Sequence, residues 1–265
     1  MLQLNKVYHM DCLKGMKLVD NKTIDIIVTS PPYNLGKKYD TYVDKLEEKK
    51  YFDWLSVVAT EFMRVLKDDG SIFLNVGGTA KNPLFPVNVV KEFTSLFNLQ
   101  NVVHWVKSIT VYGNSIGHYK PLNSDRFLSN LYEYVFHLTK SGDVRLDKTP
   151  IGVRYKDETN IRRKKSTSRV RDRGNVWFIP YKTTQKRRSH IAVFPRKLPD
   201  LCIKLHGIKS NTLVLDPFMG SGTTALACID NNVNFIGFDI SKGYCIMSQR
   251  AIENMTKKTK FDEWF

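Results

Sequence analysis

Cysteine is scarce in this chain of 265 residues, and it is widely spaced: Cys12, Cys202, Cys228 and Cys245 form no C-x-x-C pair. That excludes a zinc ribbon and a disulfide framework and leaves buried reduced thiols as the expectation; no metal site is expected. The chain also lacks any apolar run near the roughly 18 residues that a membrane-spanning helix needs. Its opening residues, Met1-Leu2-Gln3-Leu4-Asn5-Lys6, lack the charged-then-apolar layout of a secretory signal, so a soluble intracellular protein with no membrane partner is expected. Acidic residues are the third scarcity. Against 41 Lys and Arg stand 26 Asp and Glu, a formal charge of +15, and such an excess favours polyphosphate through counterion release. Nucleic acid is the leading partner on this ground, although a merely soluble basic protein has the same balance.

What is present is a rhythm of strands and helices. Thr23 to Thr29 reads Thr-Ile-Asp-Ile-Ile-Val-Thr, a β-branched run suited to a buried parallel strand, and it ends at two prolines. Phe52, Leu55, Ala59, Phe62 and Leu66 recur at helical spacing, with Asp69-Gly70 as the expected stop, and Ser71 to Val76 reads as the next strand. Further strands are expected at Asn101 to Lys107, Tyr132 to Leu138, Thr212 to Leu215 and Asn234 to Phe238. Helices are expected near Val87 to Phe97, Pro195 to His206, Thr223 to Asn231 and Lys242 to Asn254. This alternation predicts an α/β fold with a doubly wound sheet.

One glycine-rich turn stands out. Asp216-Pro217-Phe218-Met219-Gly220-Ser221-Gly222-Thr223 follows a strand and opens a helix, where small residues let a ligand approach the backbone and helix N–H groups face it. Asp239 ends the next strand, where a carboxylate can accept from both hydroxyls of a ribose. A plain turn, a dinucleotide site and an S-adenosylmethionine site all remain open here. Gly220-x-Gly222 lacks the third glycine of the full dinucleotide fingerprint, which weakens an oxidoreductase.

The second motif is Thr29-Ser30-Pro31-Pro32-Tyr33. Two prolines in succession make a stiff turn that has no N–H of its own to occupy the carbonyls. Beside the Ser30 hydroxyl and the Tyr33 ring, such a turn can hold a planar base with an amino group. Ser30 Oγ and the Pro31 carbonyl would accept its two hydrogens while Tyr33 stacks on its face. An exocyclic amine is a poor nucleophile because its lone pair is delocalised. Bonds that draw its hydrogens out of plane favour a pyramidal nitrogen, and attack needs positioning rather than a covalent intermediate. An ordinary Pro-Pro turn beside a core tyrosine is the alternative.

Together the two motifs resemble the amino-methyltransferases of restriction-modification systems, in the permuted group called beta, where the catalytic turn precedes the cofactor turn. The resemblance runs over nearly the whole chain. It implies a Rossmann-like sheet, a cytoplasmic enzyme of a bacterial or archaeal cell, S-adenosyl-L-methionine as methyl donor with S-adenosyl-L-homocysteine as product, and double-stranded DNA as substrate with the target base flipped out. It implies cofactor contacts at Thr29, at Phe194 in His190-Ile191-Ala192-Val193-Phe194-Pro195, and at Asp216, Pro217, Phe218, Gly220, Ser221, Gly222, Thr223 and Asp239. It adds Asp11 and Cys12, in a Met10-Asp11-Cys12 segment whose Met10 stands where the family has glycine. Gly70 to Asn75, and Trp105 with Lys107, are similar but less specific, and Trp105 is given no catalytic role. In this family Ser before the two prolines goes with cytosine and Asp with adenine, so Ser30 favours cytosine N4 over adenine N6. A cognate restriction endonuclease and a homodimer are partners the resemblance offers, with no interface legible in the residues.

Ser108 to Ser189 breaks the rhythm and is rich in base: Arg162, Arg163, Lys164, Lys165, Arg169, Arg171 and Arg173, then Lys186, Arg187 and Arg188. With serine and threonine interleaved, this composition suits phosphate and base-edge contacts, and a solvated basic loop is the alternative. The expected layout is a catalytic part at 1–107, a target-recognition insertion at 108–189 and a cofactor part at 190–265. Two rivals remain: a non-catalytic DNA-binding protein, and a methyltransferase acting on RNA or a protein amide.

Overall fold

The structure, a computed structural model, describes residues 2–34, 45–119, 121–156, 169–180 and 194–262, with side chains to residue 257. Along the chain lie β1 (Lys6–His9), α1 (Cys12–Met16), β2 (Ile24–Thr29), α2 (Glu48–Val65), β3 (Leu66–Val76), α3 (Phe85–Thr94) and β4 (Asn98–Val106). The hairpin β5 (Ser108–Val111) and β6 (Asn114–Gly117) follows, then β7 (Tyr132–Thr139), β8 (Val153–Arg154), β9 (Val170–Arg171) and β10 (Val176–Phe178). The chain closes with α4 (Lys197–His206), β11 (Leu213–Asp216), α5 (Thr223–Asp230), β12 (Asn234–Asp239) and α6 (Lys242–Asp262).

Eight of the strands form one sheet in the order β1-β12-β11-β2-β3-β7-β4-β10. All neighbours are parallel except β7, which runs against both β3 and β4. The doubly wound α/β expectation is met. Every residue of β2 is buried, because helices cover both faces of the sheet and a continuous apolar run replaces alternation. One core lies against α1, α2 and α3 and includes Ile27, Leu55, Phe62 and Phe93. The other lies against α4, α5 and α6 and includes Ile26, Val28, Leu201 and Cys228. The four cysteines are free and buried, as expected.

Two expectations need correction. Helix α2 ends at Val65, with Leu66 already extended, so Asp69-Gly70 is no helix stop but part of β3. Ile24 pairs with Leu66 while Ile26 pairs with Ser71, a bulge that takes up the extra residues. Gly70 sits where a side chain would meet Leu66 Cδ1 at 2.7 Å and the Asp25 carbonyl at 3.0 Å. The second correction concerns 108–189, which is not wholly an insertion: β7 lies inside the main sheet between β3 and β4, and β10 forms its edge. Aromatic and β-branched residues Tyr134, Val135 and Phe136 are what make β7 a sheet strand.

The order of strands sets the place of the site. From β11 the chain winds outward through α5 to β12, and from β2 it winds the other way through α2 to β3, yet β11 and β2 are neighbours. Such a switch of direction opens a crevice at the carboxyl ends of the two strands. No described helix is long and apolar enough to cross a membrane.

Candidate active site

Both sequence motifs open at this crevice, and one buried bond joins them. Thr29 ends β2 and donates from Oγ1 to Asp216 Oδ1 at 2.7 Å; Asp216 ends β11. The same carboxylate accepts from the Phe218 N–H at 3.0 Å and from Thr224 Oγ1 at 2.6 Å. Burial pushes the Asp216 carboxyl up to about 6, with these bonds pulling the other way. Thr29 and Asp216, expected to touch cofactor, are both buried, and their side-chain oxygens bind one another. They fasten the two turns side by side. Cys12 is likewise buried, its thiol pushed up to about 12 by desolvation, and Pro217 and Gly222 are buried too.

The other residues expected to touch cofactor, Asp11, Phe194, Phe218, Gly220, Ser221, Thr223 and Asp239, are half-buried. Asp239 Oδ2 accepts from the Gly220 N–H and Oδ1 from the Ser241 N–H, each at 2.8 Å. One lone pair on each oxygen stays available to a diol. Desolvation raises the Asp239 carboxyl above the ordinary range. Asp11 lies beyond the end of β1, whose His9 is level with Asp239, and it caps α1 by accepting from Leu13 and Lys14 N–H groups, both at 3.1 Å. Gly222 holds φ +91° at the start of α5, and a side chain there would meet Ser248 Cβ at 2.8 Å. The Phe218 ring packs 5.7 Å from that of Trp54 on α2, and Phe194 packs on the core beside α4. Two carboxylates, helix N–H groups and an apolar ring are the complement of a ribose, an adenine amine, a carboxylate and the methylene chain of a sulfonium. The residues present fit S-adenosylmethionine.

On the other side of the crevice, Pro31 is buried while Ser30, Pro32 and Tyr33 are half-buried. The Pro32 carbonyl is not a spare acceptor, since Tyr51 of α2 donates to it at 2.7 Å and braces the turn. Ser30 Oγ lies 2.9 Å from the Tyr33 hydroxyl. That hydroxyl reaches Glu133 Oε2 of β7 at 3.2 Å, and Asn75 Nδ2 of β3 donates to it at 3.1 Å. Lys107 pairs with Glu133 Oε1. Desolvation first, and the Glu133 charge second, hold the Tyr33 phenol well above its ordinary range, so it keeps its proton.

The sequence reading did not single out Glu133. Its signal was a lone carboxylate in the aromatic strand Tyr132-Glu133-Tyr134-Val135-Phe136, and only antiparallel pairing beside β3 brings it to Tyr33. Trp105 is buried, with Nε1 donating to the Ile179 carbonyl at 2.9 Å, a packing role. Among the described residues no cluster of side chains is set to hold a metal.

The basic residues divide. Arg162, Arg163, Lys164, Lys165, Lys186, Arg187 and Arg188 lie outside the described residues, as do His190 to Val193. Arg169 and Arg171 are exposed around β9, whereas Arg173 donates from Nε to the Ile151 carbonyl at 2.7 Å. They precede β10, the edge strand that runs parallel to β4, so they lie toward the amino end of that strand. No described bond joins them to the Ser30 turn.

A family model described as DNA methylase matches residues 24–250. Type II methyltransferase M.HpaI of Haemophilus parainfluenzae is 28% identical over 246 residues, covering 92% of this chain and 73% of that protein. DNA adenine methyltransferase YhdJ of Escherichia coli (strain K12) is 27% identical over 262 residues, covering 93% of this chain and 82% of that one. Among solved structures, PvuII DNA methyltransferase (cytosine-N4-specific) has the same fold, with a TM-score of 0.69 at 21% identity over 92% of this chain and 84% of its own.

Proposed function

Because this chain belongs to the DNA methylase family, in its beta group of amino-methyltransferases, we propose that it methylates the exocyclic N4 amine of cytosine in double-stranded DNA. The observation that carries this reading is the Thr29–Asp216 bond, which sets the Ser30-Pro31-Pro32-Tyr33 turn against the glycine turn at the switch point of the sheet. Neighbouring strands are about 4.8 Å apart. An amine held at one turn is therefore within reach of a methyl group held at the other.

When bound, S-adenosylmethionine supplies an electrophilic methyl group on a sulfonium. Asp239 accepts from its ribose hydroxyls, Asp11 from its adenine amine, and the Gly220, Ser221 and Thr223 backbone at the start of α5 faces its carboxylate. Phe218 and Phe194 flank it with apolar surface. Ser30 Oγ and the Pro31 carbonyl accept the two hydrogens of the target amine and draw its lone pair out of conjugation, while the Tyr33 ring stacks on the base. The site excludes water around both groups and takes no covalent part in the reaction.

Ser30 supports cytosine, through the family's habit of placing Ser there for cytosine and Asp for adenine. A second reading, adenine N6, is favoured by the likeness to the protein named as a DNA adenine methyltransferase. Its amine presents the same two hydrogens to the same acceptors. For target recognition we assign the part of 108–189 that lies outside β7 and β10, with Arg162 to Lys165, Arg169, Arg171 and Lys186 to Arg188 as phosphate contacts; Arg173 serves as an anchor of that segment. The catalytic and cofactor parts are then 1–107 with β7, and 190–265. The protein acts where the cell's DNA lies, with a cognate restriction endonuclease and a second copy as its protein partners. The reading is tested by supplying methyl-labelled S-adenosylmethionine and unmethylated DNA and locating the label among the nucleosides.

A further inference from the structure

The 2.9 Å bond between Ser30 Oγ and the Tyr33 hydroxyl can be donated by either oxygen, and the choice decides what Ser30 shows to the crevice. If Tyr33 donates, the serine proton is free to point at the substrate. If Ser30 donates, only its lone pairs remain to face it.

The surroundings of Tyr33 settle the direction. Apart from Ser30, its proton has two destinations, Glu133 Oε2 at 3.2 Å and the Asn75 carbonyl at 3.4 Å, and neither can donate in return. Asn75 Nδ2 donates to Glu133 Oε2 at 2.5 Å and to the Tyr33 oxygen at 3.1 Å. The reverse amide orientation would turn Oδ1 onto the carboxylate, so Glu133 fixes this side chain as a donor too. Asn75 is 1% exposed. Lys107 Nζ holds Glu133 Oε1 from the far side and turns Oε2 toward Tyr33. With the Tyr33 proton drawn to acceptors, its oxygen receives, and the proton in the 2.9 Å contact is that of Ser30.

We propose that Glu133 is a positioning residue that, acting through the Tyr33 hydroxyl, fixes the Ser30 hydroxyl as a pure acceptor and so makes the pocket select an amino group over a carbonyl. The inference rests on the reading of Ser30 as an acceptor for the target amine. An exocyclic amine at the turn offers hydrogens and is met by lone pairs; a ring carbonyl in the same place offers lone pairs and is refused. Buried polar groups left mispaired are what give such discrimination its size.

Glu133→Gln tests it with little change of shape. Lys107 holds the amide oxygen, so the new N–H group faces Tyr33 and donates to its oxygen. Asn75, no longer fixed by a carboxylate, turns Oδ1 to the new amide. Of the acceptors left to the Tyr33 proton, Ser30 at 2.9 Å is nearer than either Asn75 oxygen, so the proton passes to Ser30 and the serine proton turns outward against the amine. The rate of a single round of methyl transfer to unmethylated bacterial genomic DNA is measured for the wild type, E133Q, Y33F, E133Q/Y33F, E133D and S30A. Cofactor affinity is measured by calorimetry alongside. E133Q is expected to lower the rate on the order of 10- to 100-fold with cofactor affinity unchanged, the size of one mispaired buried hydrogen bond. In the Y33F background there is no proton to redirect, and the same substitution is expected to change the rate by less than about twofold, the mark of a coupled pair. E133D, which keeps an acceptor-only group, is expected to retain more of the rate than E133Q. Equal losses on both backgrounds, a wild-type rate for E133Q, or E133D no better than E133Q would each overturn the proposal. If S30A itself turns over like the wild type, the reading of Ser30 fails and the inference falls with it, a result distinguishable from the others.

Discussion

In the proposed function the Tyr33 ring serves the base, while its hydroxyl bonds Glu133 and no described bond joins it to the glycine turn. Tyr33→Ala is therefore expected to lower turnover by roughly 10- to 100-fold, the scale of one base–aromatic stack, with S-adenosylmethionine affinity unchanged. Asp239→Ala should do the reverse, weakening cofactor binding about 10-fold or more while the rate at saturating cofactor is largely kept. Calorimetry and steady-state kinetics on the two variants separate these outcomes, and equal losses of cofactor binding would show Tyr33 to be misplaced. Asp216 offers a pH test. Burial pushes its carboxyl from an ordinary 3.8 up to about 6, so the charged form is penalised in the native state above about pH 6. As pH falls from there toward 3.8 the native state gains, and the stability of wild type relative to Asp216→Asn should rise by about 3 kcal/mol in urea unfolding. A difference that stays flat with pH would mean that Asp216 is not desolvated. The places of Ser30, Tyr33, Asp216 and Asp239 within motifs were legible in the sequence. That Thr29 and Asp216 bind each other was not, since 187 positions separate them.

At the scale of elements, strands rich in β-branched residues and helices with regular apolar spacing could be read to within a few residues, except that the last helix runs on to Asp262 where Asn254 was expected. The other exceptions have physical causes. Strand β1 has four residues, too few for a pattern, and is held by pairing with β12. The Lys67 to Gly70 segment reads as a helix stop because a bulge cannot be seen without its partner strand. Strand β7 was legible as a strand, but not its place between β3 and β4, which depends on tertiary pairing. The joint among β3, β7 and α4 is equally invisible: Ser71 Oγ lies 3.0 Å from His137 Nε2 and 2.9 Å from His206 Nδ1. Burial brings His137 down to about 4. A histidine favoured neutral contributes stability above its unfolded value near 6.5 that is lost as pH falls toward 4. Relative to His137→Gln, wild type should lose about 3 kcal/mol across that window, opposite in sign to Asp216. Gly222→Ala combines a left-handed backbone with a clash on α6, and a loss of roughly 2–4 kcal/mol in thermal unfolding is expected. An alanine variant as stable as wild type would mean that α5 and α6 pack less closely than described.

For the whole molecule, the charge of +15 and the order of the two turns said the most from sequence: a polyanionic partner, and a catalytic turn ahead of a cofactor turn. The fold could not be divided correctly from composition, because a basic segment and a sheet strand share the stretch 108–189. If the basic residues outside β7 and β10 contact phosphates, DNA affinity should fall with salt at a log–log slope of roughly −5 or steeper. A slope near zero in a titration by fluorescence anisotropy would remove them from the interface. The central claim is that Ser30 and its turn present an amine of DNA to a methyl donor held at the glycine turn. Unmethylated DNA incubated with methyl-labelled S-adenosylmethionine and the wild-type protein, then digested to nucleosides and separated, tests it most directly. The account predicts label in N4-methyldeoxycytidine, and its loss with S30A. Label in N6-methyldeoxyadenosine would overturn the choice of base, and label on a ring carbon or in no nucleoside at all would contradict the account itself.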